Sequence, residues 1–191
     1  MPHIDLGNDL PGIRSLLIYQ PETGKLIAEM ADALLRAPNS LERWERELIA
    51  THVSELNECQ FCATSHAAFT AAQLPGGLEL QAVRADPTDG PITDKLRALL
   101  DIAAAVQRSG REVTTELVDR AKAAGATDRE IHDAVLIAAA FCMVNRYVDG
   151  LATTLPEDPQ SYSIGAETIV ANGYLPLLDA AEAHEEQASM T

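Results

Sequence analysis

The residues with the clearest chemical potential lie in one short stretch, in which Cys59 and Cys62 are followed by His66. If this stretch is helical, spacings of three and four residues place both thiols and the imidazole on one face. A helix that begins near Cys59 would also direct its free N-terminal amides at the thiols, and such amides favour negative charge. A nearby imidazole can share the thiol proton. Both effects lower a thiol pKa, so the pattern predicts thiolate chemistry.

The same spacing permits a redox cycle between Cys59 and Cys62. Two cysteines within one helical turn can close a disulfide after one of them has been oxidised. His66 is one turn from Cys62 and two turns from Cys59, so the imidazole should couple better to Cys62. A rival argument is that Cys59, nearer the helix N-terminus, is the more acidic thiol. We expect Cys62 to react first, because proton transfer needs contact whereas the helix dipole acts on both thiols.

The preceding helix can supply a carboxylate to the same group. Glu47 lies about three turns before a break near Asn57, and His66 lies about two turns after it. An antiparallel helix pair joined at this break would bring Glu47 and His66 roughly level. Periodicity alone does not choose Glu47, because the same helix carries Glu42, Glu45 and Glu55. The residues therefore predict a proton relay of one carboxylate, one imidazole and two thiols.

Two other uses of a Cys-x-x-Cys pair fit this sequence less well. A structural zinc site usually has four Cys or His ligands. The chain has no second Cys-x-x-Cys pair, and beside Cys59 and Cys62 it offers only His66, with Glu47 or His52. A thioredoxin-like pair would follow a strand, whereas this pair follows a helical pattern. The third cysteine, Cys142, lies in the most apolar segment and is interpreted as a core residue. The pattern requires no metal and no cofactor.

Helical periodicity recurs along the chain, and no segment shows the alternation of a strand. Helices are predicted at about 22–36, 40–56, 59–73, 93–108, 114–124 and 128–151. Asn39 with Glu42, and Thr127 with Glu130, have the spacing of capping boxes. The fold class is therefore all-α, a helical bundle of about six to eight helices.

The predicted helices form one domain over residues 1–191, since no linker divides the chain. Residues 1–21 are expected to be an irregular arm, and prolines and glycines predict a loop over residues 75–92. Residues 153–191 are expected to be a tail with at most one weak helix. At the end of the apolar run, Asn145 and Arg146 are interpreted as a cap or a subunit contact, rather than as site residues.

Composition narrows the class of protein. Hydrophobic residues make up 47% and aromatic residues 4%, which suits close-packed helices better than a β-sandwich. The net charge of −15 opposes binding to nucleic acid or anionic membrane.

The longest apolar run, 134–144, is expected to be too short to span a bilayer. Three cysteines and no secretory signal favour a cytoplasmic protein. The apolar run offers more surface than one bundle covers, which favours a homo-oligomer.

The chain contains a glutamate, eleven intervening residues and then the pattern Cys-x-x-Cys-x-x-x-His. This arrangement resembles the core motif of the alkylhydroperoxidase (AhpD) and carboxymuconolactone decarboxylase superfamily. Here the motif residues are Glu47, Cys59, Cys62 and His66. Phe141-Cys142-Met143-Val144-Asn145-Arg146 resembles a second family signature, and Leu10-Pro11-Gly12 resembles the peroxidase-related branch. The resemblance extends over residues 10–152, with the motif core at 39–152.

The resemblance implies an AhpD-like all-helical bundle that assembles as a dimer, trimer or hexamer. It implies reduction of peroxides with electrons from a dithiol donor such as a lipoyl protein. Cys62 would then be the peroxidatic cysteine, Cys59 the resolving cysteine, and Glu47 and His66 the proton relay.

One position departs from the family pattern. In the peroxidases of this type, the segment between the two cysteines resembles Cys-x-His-Cys. This chain has Phe61 in place of that histidine, so one member of the relay is missing. The decarboxylase branch lacks the cysteine pair, which makes decarboxylase-like chemistry the less favoured alternative. A second alternative is a non-enzymatic oligomer that uses the same disulfide as a redox switch.

Overall fold

All the regular structure in the computed structural model, which describes residues 1–85 and 91–178, is helical. The α-helices are Ile13–Tyr19 (α1), Pro21–Arg36 (α2), Arg43–Leu56 (α3), Gln60–Ala71 (α4), Leu80–Ala85 (α5), Asp94–Arg108 (α6), Thr115–Ala123 (α7), Asp128–Gly150 (α8) and Gln160–Asn172 (α9). Short 3-10 turns occur at Gly110–Glu112 and Leu175–Leu177. The predicted all-α fold is confirmed, and in the described residues eight of the helices have seven residues or more.

The chain reverses between α3 and α4, the helices that carry the cysteine motif. Asn57 ends α3, and Glu58 adopts the left-handed backbone conformation with φ of 59°, which few non-glycine residues do. The amide of Cys59 then donates to the carbonyl of Ser54 at 3.0 Å, and Cys59 caps α4. The turn lays α4 back along α3, so the predicted antiparallel pair is present.

Capping explains where two of the core helices, α3 and α8, begin. At α8 the predicted capping box is confirmed, since the Thr127 amide donates to Glu130 and the Glu130 amide donates to Thr127. At α3 the prediction was wrong, because the N-cap is Glu42, whose amide donates to the Glu45 carboxylate at 2.8 Å. Asn39 is used differently: it accepts from the Leu41 amide, and its amide group donates to Asp133.

The main core lies between α3, α4, α6 and α8, with α9 against α4. Its central side chains include fully buried residues of α3, α6 and α8, for example Ile49, Leu99 and Ile137. Close packing of these side chains fixes α3 from several directions, so residues on α3 and α4 are held by a rigid support.

Helix α8 is longer than its apolar run alone indicated. In the described part of the chain it is the one helix long and apolar enough to cross a membrane, judged by length and composition. The predicted helix over 128–151 is present as Asp128–Gly150, whereas the expectation about membrane spanning considered only the apolar run 134–144 and is corrected here. Here α8 packs against α3 and α6. The absence of membrane binding stays a prediction.

The structure corrects two expectations about irregular segments. Residues 1–21 contain α1, because Leu16 and Leu17 are buried against the bundle and stabilise a short helix that local sequence does not specify. The predicted loop at 75–92 contains α5, and its residues 86–90 lie outside the described residues. The tail contains the helix α9, and its residues 179–191 also lie outside them.

Candidate active site

The two cysteines of the motif meet in a buried apolar cluster at the start of α4. Cys59 is the N-cap residue and Cys62 lies in the first turn, and both are free thiols with almost no exposed surface. The two thiols lie near each other, and Cys59 is the largest influence on the pKa of Cys62. The cluster around them includes Leu16 of α1 and Val148 of α8. The predicted proximity of the two sulfurs is therefore present before any oxidation.

The pKa of Cys62 is raised above its usual range, which is opposite to the expected direction. The main cause is the hydrogen bond with Cys59, followed by burial and by the negative charge that Cys59 would carry. A hydrogen bond to the side chain of Asn145 acts the other way and lowers the pKa. The interaction with Cys59 and burial among apolar side chains together outweigh the helix N-terminus here. In this closed arrangement Cys62 therefore holds its proton as a neutral thiol.

Asn145 is a site residue that sequence reasoning set aside. It lies fully buried on α8, and its amide donates to the Ser54 hydroxyl at 3.1 Å. Its carbonyl oxygen accepts from the amide of Asn57 at 2.8 Å. These bonds hold the Asn145 side chain beside Cys62 and tie α8 to the turn between α3 and α4. Only the family signature around residues 141–146 pointed to this position.

Glu47 and His66 are joined as the helix register predicted. His66 Nδ1 lies 2.7 Å from Glu47 Oε2, and the Glu47 side chain is only 2% exposed. The competing glutamates are placed elsewhere, since Glu42 and Glu45 cap the start of α3 and Glu55 lies in its last turn. The structure therefore brings Glu47, Cys59, Cys62 and His66 into one region on two packed helices.

A tyrosine completes this arrangement. The hydroxyl of Tyr174 donates to Glu47 Oε1 at 2.6 Å, so the carboxylate has a partner on each oxygen. Burial raises the pKa of Tyr174 well above its usual value, and the adjacent Glu47 adds to the rise. The tyrosine therefore remains a neutral hydrogen-bond donor. No sequence signal identified Tyr174, because it follows α9 in the segment expected to be a tail.

Aromatic rings fix the orientation of the His66 imidazole. Phe141 meets it edge to face with ring centroids 4.5 Å apart, and Phe69 does so at 5.0 Å. Tyr174 lies nearly parallel to it at 6.2 Å. Packing of this kind leaves the ring little freedom to rotate away from Glu47.

A cavity of about 430 Å³ opens beside the site. Its walls come from α1, α2, α4, α8 and α9 and are predominantly apolar. Cys62 and His66 line this cavity, whereas Cys59 and Glu47 are not among its wall residues. The arrangement presents one thiol and the imidazole to a ligand and keeps the second thiol and the carboxylate behind them. The volume is within the range typical of small-molecule sites.

Phe61, the position that departs from the family pattern, is a packing residue in the cavity wall. It is buried and its ring lies 6.1 Å from that of Tyr162 on α9. Gly12 approaches the other side so closely that a Cβ there would overlap the Phe61 ring. Phe61 therefore packs between the start of α1 and α9, beside the two cysteines.

His52 and Cys142, the other residues considered from the sequence, have positions that indicate a structural role. His52 on α3 is half-buried, and burial lowers its pKa, which keeps it neutral. Cys142 is half-buried and packs against the main core, with its sulfur 3.6 Å from the Asn57 amide nitrogen. Within residues 1–85 and 91–178, no group of three or more His, Cys, Asp or Glu side chains is arranged to hold a metal ion.

Residues 21–74 and 77–154 match the carboxymuconolactone decarboxylase family, and the chain belongs to this family. A solved structure from Ralstonia eutropha JMP134, an uncharacterized peroxidase-related protein with an alkylhydroperoxidase AhpD core, has the same fold with a TM-score of 0.71. It is 24% identical, and the match covers 82% of each chain. An uncharacterized peroxidase-related protein from Silicibacter sp. TM1040 is 26% identical with a TM-score of 0.68, over 80% of this chain and 78% of the other. No curated protein sequence matches the chain. These likenesses support membership of the peroxidase-related branch.

Proposed function

We propose that this protein is a thiol peroxidase that reduces hydroperoxides with Cys62 and resolves the product with Cys59. The observation that supports the proposal is that some site residues line the cavity and others lie behind its wall. Cys62 and His66 face the cavity, and Cys59 is near Cys62 but outside the cavity wall. A hydroperoxide in the cavity would therefore meet one thiol, with the second thiol in place to form a disulfide.

In the first step Cys62 gives up its proton and its sulfur attacks the terminal oxygen of the hydroperoxide. The O–O bond breaks, the sulfur becomes a sulfenic acid, and the released alkoxide takes up a proton to leave as an alcohol. Cys59 then loses its own proton and attacks the Cys62 sulfur. The S–O bond breaks, water leaves, and a disulfide joins the two cysteines. A dithiol donor reduces this disulfide through a mixed disulfide and is itself oxidised.

The Glu47–His66 pair is suited to moving the proton in the first step. With Glu47 ionised, the hydrogen bond at 2.7 Å places the proton of the neutral imidazole on Nδ1. The other ring nitrogen, Nε2, is then the proton acceptor, and the carboxylate stabilises the imidazolium that forms. Because the pKa of Cys62 is raised, this transfer is needed before the thiol becomes nucleophilic at neutral pH.

The redox-switch alternative uses the same disulfide without turnover. The cavity favours the enzyme, because a switch that responds to peroxide does not need a preformed apolar site for an organic molecule. Decarboxylase-like chemistry is disfavoured because the branch that performs it lacks the cysteine pair, whereas here Cys62 lines the cavity. We further propose that the protein acts in the cytoplasm as a homo-oligomer, and that its electron donor is a dithiol such as a lipoyl group.

The assignment of roles is tested by trapping the sulfenic acid in single-cysteine variants. Cys59→Ser should accumulate sulfenic acid at residue 62 after peroxide treatment, because nothing resolves it, and Cys62→Ser should accumulate almost none. Cys142→Ser is the matched control and should form the disulfide as the unaltered protein does. Labelled peptides are identified by mass spectrometry. Trapping at Cys59 in the Cys62→Ser protein, with none in the reciprocal variant, would reverse the assignment.

A further inference from the structure

The cavity carries one permanent charge that the proposed peroxidase cycle does not use. Among the described residues in its wall, Arg14 is the only Lys, Arg, Asp or Glu. Arg14 lies in the first turn of α1 and is half-buried. Its Nε atom is buried and has no hydrogen-bond partner in the part of the chain that the structure describes. A guanidinium in this position is an unpaired cation at the edge of an apolar cavity.

The buried Nε donor of Arg14 is costly to leave without a hydrogen-bond acceptor. Desolvated cations in proteins are paired with an anion or hydrogen-bonded. Arg46, the other arginine with an orphaned Nε, illustrates the contrast, because its terminal nitrogen donates to the carbonyls of Leu34 and Ala37. For Arg14 no ion pair or hydrogen bond of the side chain is present among residues 1–85 and 91–178. Within residues 1–85 and 91–178, the Arg14 guanidinium is therefore free to pair with a ligand in the cavity.

The chemistry of that ligand follows from the wall. The planar guanidinium binds a carboxylate through two parallel hydrogen bonds. One arginine neutralises one negative charge, and no second cation lines the described part of the wall, which favours a carboxylate over a phosphate dianion. The rest of the wall is predominantly apolar and accepts a hydrocarbon chain. Cys62 and His66 lie in the same cavity, where the reactive end of the ligand would sit.

We infer that the cavity selects hydroperoxides of monocarboxylic acids, with the carboxylate on Arg14, the hydrocarbon chain against the apolar wall and the hydroperoxide at Cys62. This inference rests on the proposed peroxidase function for its reactive group. The anion site itself does not, because a saturated carboxylic acid without a hydroperoxide would bind Arg14 in the same way.

The test measures binding of octanoate, octan-1-ol and methyl octanoate by isothermal titration calorimetry. The unaltered protein should bind octanoate more tightly than either neutral compound. Arg14→Gln should weaken octanoate binding about tenfold, the effect of one charge-assisted pair at a half-buried site, and should remove the preference for the acid. Arg14→Lys should restore part of it. Arg111→Gln removes the same charge from an exposed position outside the cavity and should change neither affinity.

The outcomes separate this inference from the proposed function. Equal binding of octanoate and methyl octanoate to the unaltered protein would overturn the inference without any variant. Equal octanoate affinity in Arg14→Gln and the unaltered protein would also overturn it. Turnover of cumene hydroperoxide, a neutral substrate, is measured in parallel on the unaltered protein. Turnover without acid selectivity would leave the peroxidase function standing, and acid selectivity without turnover would leave the anion site standing.

Discussion

Removing one hydroxyl group, by Tyr174→Phe, tests whether the buried Glu47 depends on its two hydrogen bonds. The hydroxyl donates to Glu47 Oε1 at 2.6 Å in a fully buried position, whereas the ring packs beside His66. Phenylalanine retains the ring contacts and removes only the donor. A hydrogen bond to a charged group contributes about 1.5–3 kcal/mol, so we expect a loss of about 2 kcal/mol in the free energy of unfolding. For a chain of this size the melting temperature should fall by about 4–8 °C.

The measurement is urea unfolding followed by far-ultraviolet circular dichroism at fixed protein concentration, since an oligomer would make stability concentration-dependent. Tyr19→Phe is the control, because Tyr19 is 48% exposed and its hydroxyl should contribute less than about 0.5 kcal/mol. A double-mutant cycle with Glu47→Gln isolates the pair, and we expect a coupling of about 1–2 kcal/mol.

A Tyr174→Phe protein as stable as the Tyr19→Phe control would show that the Tyr174 hydroxyl does not stabilise the buried carboxylate. A coupling near zero in the cycle would show this more specifically, since the loss would then arise from Tyr174 without Glu47. Either result would mean that the buried carboxylate is stabilised by groups other than the tyrosine hydroxyl.

Two further predictions concern the cysteine cluster. Gly12→Ala should destabilise the protein by about 1–3 kcal/mol, because Gly12 has a φ of 57° and an added methyl would overlap the Phe61 ring. Gly150→Ala is the control, because open space surrounds the added Cβ, and its melting temperature should fall far less. Equal losses of stability in the two variants would show that the contact with Phe61 does not matter. Cys59→Ala should move the pH midpoint for iodoacetamide alkylation of Cys62 downward, because the largest cause of the raised pKa is removed. An unchanged or higher midpoint would show that burial alone holds the proton.

Local patterns in the sequence were enough to predict the helix pair that carries the motif. The spacing of Cys59, Cys62 and His66 placed them in one helix, and the register across Asn57 placed Glu47 level with His66. Both depend on helical geometry over a few turns, which the sequence encodes directly. Fold class followed for the same reason, since periodicity without strand alternation recurs along the chain.

Residues that join the site from distant segments were not predictable in this way. Tyr174 is 127 positions from Glu47, and no periodicity relates a residue after α9 to one on α3. Asn145 ends an apolar run, and its hydrogen bonds to Ser54 and Asn57 appear only once α8 is packed. The predicted direction of the Cys62 pKa shift was wrong for a related reason. The contact with Cys59 and then burial by α1 and α8 raise this pKa, and helix position alone shows neither.

The peroxidase function is best tested by steady-state turnover of cumene hydroperoxide with dihydrolipoamide as the electron donor. We predict many turnovers per subunit in the unaltered protein and almost none in the Cys62→Ser variant. Cys142→Ser, which removes the cysteine outside the motif, should retain turnover. Consumption of no more than one peroxide per subunit, with the disulfide left unreduced by the dithiol, would contradict the peroxidase function and favour the redox switch. Full turnover in the Cys62→Ser protein would contradict the central role of Cys62.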